Sequence, residues 1–181
     1  MEVIMKKTNL LLAALVCCGA AFAGDLYDDM ASTPELLKQW QGGKKNVTLL
    51  PNAAPEGKYA LAFDCDDANK TVILRFNVPA DKVKGKKVEF SAKIKAENVT
   101  QLKKIPVTGI KLMLFIQTAS GKKIYTESRP LANFRAGSYN WKEFETKYNI
   151  PADATNVLAL IGLQQASGKV LFSDIDFDIE D

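Results

Sequence analysis

From residue 87 to 96 the chain alternates without a break, placing Val88, Phe90, Ala92, Ile94 and Ala96 on one face and Lys87, Glu89, Ser91, Lys93 and Lys95 on the other. A period of two belongs to a strand with one face packed and one face in water. Similar runs cover 47–50, 58–65, 71–78, 109–118, 122–127, 139–149, 156–163 and 169–179, which makes nine predicted strands. Each is bounded by Gly, Pro, Asn or Asp. Ahead of them, Ser32-Thr33-Pro34-Glu35 has the form of a capping box with proline near the first helical position. Leu36, Leu37 and Trp40 follow, then Gly42-Gly43, so one short leading helix is expected. Many short strands, almost no helix and no repeat period predict an all-β, two-sheet antiparallel β-sandwich of jelly-roll type.

Turn chemistry supports these boundaries. Ala119-Ser120-Gly121-Lys122 predicts a tight hairpin, and Ala166-Ser167-Gly168-Lys169 predicts another before the last strand. Pro79, Pro106, Pro130 and Pro151 fall between runs, where a missing amide donor harms no ladder. The run 109–118 departs from simple alternation. Ile110, Leu112, Leu114 and Ile116 share one face, and the other carries Lys111, Met113, Phe115 and Gln117, a partly apolar face that suits either a cleft or a covering loop.

The amino terminus has a different grammar. Met5-Lys6-Lys7 forms a positive region, residues 10–18 an apolar stretch, and Ala21-Phe22-Ala23 an A-x-A site before Gly24. Residues 1–23 therefore read as a cleavable export signal, with Met5 a candidate true start; the apolar stretch is too short to span a bilayer. Neither Cys17 nor Cys18 has the small preceding residue that lipid anchoring favours. Cleavage would leave 158 residues, the size of one domain, with 24–45 as a lead-in and 46–181 as the sandwich. It also removes two lysines and one glutamate from a chain of net charge +3, leaving +2. That balance is too weak to imply nucleic acid or an anionic membrane as partner. Cys65 is the one cysteine left, and its position on an apolar face marks it as a buried, inert thiol.

The chain contains no histidine, which excludes Ser-His-Asp and Cys-His nucleophile systems and histidine zinc sites. No phosphate-binding glycine loop occurs, and the lysine doublets lie in turns or on solvent faces. Carboxylates are plentiful enough that a glycoside-hydrolysing pair stays open, though no spacing singles one out. At the carboxyl end Asp174, Asp176 and Asp178 alternate with Ile175, Phe177 and Ile179. Two readings share this pattern: a solvated edge strand beside lysines, or a Ca²⁺ site using Asp174.

Gly85 to Lys95, then Gly121, Gly137-Ser138-Tyr139-Asn140-Trp141, Ile150-Pro151-Ala152-Asp153-Ala154 and Gly168-Lys169-Val170-Leu171-Phe172-Ser173-Asp174-Ile175 follow one another in an order and spacing that is distinctive. Over residues 40–179 the chain resembles the carbohydrate-binding modules of the cellulose- and xylan-binding, galactose-binding-like superfamily. The resemblance implies a jelly roll, a structural Ca²⁺ at one edge with Asp174 as a ligand, and a glycan cleft on the concave face or in the loops at one end. Where the family commonly opens with a Phe-Glu pair that helps hold the ion, this chain has Tyr27-Asp28-Asp29. Trp141 matches a position usually packed in the sandwich. Sugar recognition needs aromatic faces together with amide, carboxylate or guanidinium groups; the candidates are Trp40, Arg75, Phe115, Gln117, Tyr125, Arg129 and Gln164.

The expected function is that of a secreted, non-catalytic module that attaches itself or a partner to a polysaccharide or oligosaccharide. A glycan-active enzyme or an envelope protein is the partner class this suggests. Two alternatives stand beside it: an exported adhesion or envelope-assembly sandwich that binds protein, and a minimal histidine-free glycoside hydrolase or lyase. The sequons at Asn46, Asn69 and Asn98 matter only in a host that glycosylates exported proteins.

Overall fold

The computed structural model describes residues 24–102 and 107–180. The segment 1–23, read above as an export signal, lies outside them. Two antiparallel sheets face each other. The first has the order β3 (Val47–Leu50), β4 (Ala60–Cys65), β11 (Ala166–Glu180), β6 (Lys87–Gln101), β9 (Gly137–Asn149), with β1 (Gly24–Tyr27) also paired to β11. The second runs β2 (Gln41–Gly42), β5 (Thr71–Val78), β10 (Ala154–Gln164), β7 (Gly109–Thr118), β8 (Lys123–Glu127). All nine expected strands are present, and the lead-in adds two: β1 lies against the end of β11, and β2 against β5.

The inward faces are those the alternation predicts. Val88, Phe90, Ala92 and Ile94 of β6 meet Ile110, Leu112, Leu114 and Ile116 of β7 across the sandwich, all at most 1 % exposed. Phe63 and Phe172 lock edge to face at 5.3 Å within the first sheet, a geometry that adds to simple burial. Strand β11 keeps its whole length useful through a register shift between Ser173 and Asp176. Phe172 and Ile175 then both point inward although three positions apart, and Asp174 takes φ 46 at the bulge.

Three local expectations change. The helix α1 (Pro34–Gln39) is capped by Thr33, whose Oγ1 accepts the Leu36 N–H at 3.2 Å, whereas Ser32 donates to the Asp29 carbonyl. The segment 166–169 is not a hairpin but the start of β11, because β10 and β11 belong to different sheets and the chain crosses between them at Gln165. Gly168 is required for a close approach instead: a Cβ there would stand 2.5 Å from the Asn98 carbonyl oxygen. Trp141 lies outside the sandwich core, half-buried on the outer face of the first sheet against Ala54, Ala60, Ala62 and Leu171. Cys65 is buried as expected, its Sγ donating to the Asp67 carbonyl.

Candidate functional site

The outer face of the second sheet carries a shallow groove, and strand register explains its lining. Along β7, Met113 stands between Leu160 of β10 and Glu127 of β8, and Phe115 between Leu158 and Tyr125. Lys111 is opposite Gly162, which in turn faces Ile73 of β5. The main cleft, about 470 Å³, is walled by Ile73, Met113, Leu160 and Tyr125, with Gln164 and Val107 at its rim. A second hollow of about 290 Å³ shares Ile73 and Leu160 with it and adds Arg75, Phe115 and Leu158. Phe115 and Tyr125 pack with ring centroids 5.1 Å apart, and Tyr125 remains 63 % exposed.

Charge in the cleft is fixed by three side chains. Lys111 is 1 % exposed, paired in register with Gly162, and its ammonium bonds Glu127 Oε1. Arg135 donates to Glu127 Oε2, so both carboxylate oxygens are engaged. Burial pulls the Lys111 pKa down, with Glu127 opposing that shift. Arg135 is positioned through its own backbone: its carbonyl accepts the Ile110 N–H at 2.9 Å, which ties the segment after β8 back to β7. At the rim, Gln101 Nε2 donates to the Thr108 carbonyl at 2.7 Å.

Five of the residues expected to contact a ligand, Arg75, Phe115, Gln117, Tyr125 and Gln164, share this face. Trp40 does not. It is fully buried, its Nε1 donating to the Met30 carbonyl at 3.0 Å and its ring 5.5 Å from Phe76, so no sugar can stack on it. Arg129 lines a different hollow with Thr126 and Glu145, at the edge where β8 of one sheet meets β9 of the other. Lys111, Glu127 and Arg135 escaped sequence reasoning. The one signal was Lys111 itself, a lone charge in an apolar run, which needs a carboxylate that only the fold identifies.

By sequence, no family model and no curated protein matches the chain. By structure, a xylan-binding domain of carbohydrate-binding module family 22 superposes with a TM-score of 0.62, at 17 % identity, over 87 % of this chain and 96 % of that one. The C-terminal family 22 module of Clostridium thermocellum Xyn10B gives 0.60 at 16 % identity, over 86 % of this chain and 93 % of that one. The CBM22-1 xylan-binding domain of Paenibacillus barcinonensis Xyn10C gives 0.60 at 16 % identity, over 88 % and 97 %. This chain shares the fold of these modules. In a longer Clostridium thermocellum chain that joins a CBM22-1 module to a GH10 module, complexed with xylohexaose, this chain spans 29 % of the length. The expected two-sheet antiparallel jelly-roll sandwich is thus the observed fold.

Carbohydrate-binding modules of the resembled family suggested Ca²⁺ at Asp174, and the residues present do not fit that ion. Asp174 accepts Lys58 Nζ on Oδ1 and Lys93 Nζ on Oδ2, both at 2.7 Å. Burial raises its pKa, but these two hydrogen bonds outweigh burial and hold it below the usual aspartate value. Two ammonium groups therefore occupy the positions from which a cation would be bound, whereas Ca²⁺ needs six to eight oxygen ligands. Asp28, Asp29, Glu143 and Asp176 line the same small hollow as Asp174, Lys58 and Lys93, yet among the described residues no three His, Cys, Asp or Glu side chains are placed to hold a metal ion together. Asp176, beside this pair, accepts the Asp29 N–H at 2.7 Å, and burial together with the neighbouring Asp28 pushes its pKa up to about 6.

Proposed function

We propose that this chain is an exported, non-catalytic module that holds itself or a partner on a polysaccharide through the outer face of its second sheet. The observation that carries the reading is the groove around the Phe115–Tyr125 pair, where an exposed aromatic stands beside apolar Ile73, Met113 and Leu160 and polar Gln164, Arg75 and Glu127. A pyranose offers a C–H face to stack on such a ring and equatorial hydroxyls at its edges for amide and carboxylate groups. The open groove suits a chain lying across the strands rather than a single sugar in a pocket. Neighbours of the same fold are xylan-binding domains, which makes xylan the first polymer to test.

The geometry argues against hydrolysis in this groove. Cleavage of a glycosidic bond calls for two carboxyl groups, one able to donate a proton. Among the described residues Glu127 is the single carboxylate lining the two hollows, and both of its oxygens are already engaged, one by Lys111 and the other by Arg135. The export reading rests on the pattern of residues 1–23 and is checked by sequencing the amino terminus of the exported protein, expected to begin at Gly24.

Affinity electrophoresis and pull-down against a panel of plant, algal, host and microbial polysaccharides test the binding itself. Retardation by at least one polymer is expected, weakened about tenfold by Tyr125→Ala, the loss of one stacking contact. Absence of binding across the panel would sink the proposal.

A further inference from the structure

We infer that the glycan held by this face is an acidic one, recognised through uronate carboxylates; the inference rests on the reading of the groove as a glycan site and adds charge selection to it. Among the described residues, the outer face of the second sheet carries four cations, Arg75, Lys111, Lys123 and Arg135, against the single carboxylate of Glu127. Glu127 is already bonded to Lys111 and Arg135, so this cluster alone is left with one positive charge in excess. Arg75 and Lys123 form no ion pair with any described residue. On the strands of the first sheet the balance differs: Lys87 and Lys147 hold Glu180, Lys93 holds Asp174, and Lys95 holds Glu97.

Arg75 supplies the recognition chemistry. It lines the same hollow as Phe115 and Leu158, an exposed guanidinium over a floor otherwise apolar. A sugar ring stacked by its face on an aromatic side chain presents its substituents edgewise. A carboxylate at C5 of a uronate, or on a uronate branch, then meets a planar fork of donors that matches it bidentately. A neutral pyranose would leave the same guanidinium facing only hydroxyls. Because the groove is open, such a pair is partly screened, and it contributes selectivity that depends on salt.

Affinity electrophoresis of the mature protein in gels containing glucuronoxylan, or the same polymer after its carboxylates are reduced to alcohols, reads this directly. At low ionic strength the carboxylated polymer is expected to bind about fivefold more tightly. The ratio of the two dissociation constants should fall toward one in 0.5 M NaCl and in Arg75→Gln, with melting curves confirming that the variant folds. Equal affinity for the two polymers overturns the charge selection while leaving the glycan-binding reading intact. A ratio that persists in Arg75→Gln/Lys123→Gln overturns it too, as does equal retardation by polyacrylate, which would reduce the effect to general polyanion attraction. Binding to neither polymer, nor to alginate or polygalacturonate, removes this inference, and failure across the wider neutral panel removes the function as well.

Discussion

Lys111 is the most buried charge among the described residues, and it stays in place because Glu127 takes its ammonium while Arg135 takes the other carboxylate oxygen. Removing the carboxylate and removing the lysine should therefore differ in sign or size. Glu127→Gln removes the carboxylate that Lys111 and Arg135 share and is expected to cost about 3 kcal/mol in urea unfolding, the low end for breaking a buried pair. Lys111→Met keeps the Glu127–Arg135 pair and fills the same space, so its stability should stay within about 1 kcal/mol of the parent. Asp176 offers a pH test. Its folded-state pKa of about 6 lies above that of an unfolded aspartate, so the stability it contributes is present below about pH 4 and lost as pH rises through 6. Asn at this position can still accept the Asp29 N–H. The melting temperature of Asp176→Asn relative to the parent should rise between pH 4 and 6 and level off above; a difference flat with pH would contradict the assignment.

At the scale of strands, glycines mark the places where two chains come too close for a side chain. Gly162 of β10 has φ 134, and a Cβ there would stand 2.2 Å from the Val72 carbonyl oxygen and 2.9 Å from Phe63 Cε1. Gly162→Ala is expected to destabilise by more than about 3 kcal/mol or prevent folding, since neither the backbone nor a packed ring can yield. Gly121, in the β7–β8 hairpin, has φ 82, but a Cβ added there would meet nothing within 4 Å. Its replacement by Ala should cost about 1 kcal/mol, the conformational term alone. Denaturant midpoints of the two variants separate close packing from backbone conformation. The same distinction explains why Gly168 resembled a turn in sequence: a glycine beside Ser and Lys looks alike whether it serves a hairpin or the contact with Asn98 that β11 makes on entering its sheet.

For the molecule as a whole, the bulge of β11 at Asp174 is tied to its surroundings by two protein cations, Lys58 ahead of β4 and Lys93 of β6. Thermal melts in excess Ca²⁺ and in chelator are expected to agree within about 1 °C, because a ligand that does not bind the folded state cannot stabilise it. Lys58→Met/Lys93→Met should lower the melting temperature under both conditions; a melt raised by Ca²⁺ in the parent would show that the ion binds after all. The period-two runs were legible without coordinates, since alternation at positions such as 88, 90, 92 and 94 is a property of one strand in a half-buried sheet. So were Phe115, Tyr125, Gln164 and Arg75 as ligand-type side chains, and the exclusion of histidine chemistry. Strands of four and two residues, β1 and β2, are too short to carry a period, and Trp40 carries no mark that distinguishes a core ring from an exposed one. Which cation meets Glu127, which lysines take Asp174, and that Asp29 reaches Asp176 from 147 positions away depend on how strands are ordered in two sheets. Alternation records which way a side chain points, whereas its neighbours are chosen by pairing between strands far apart in the chain.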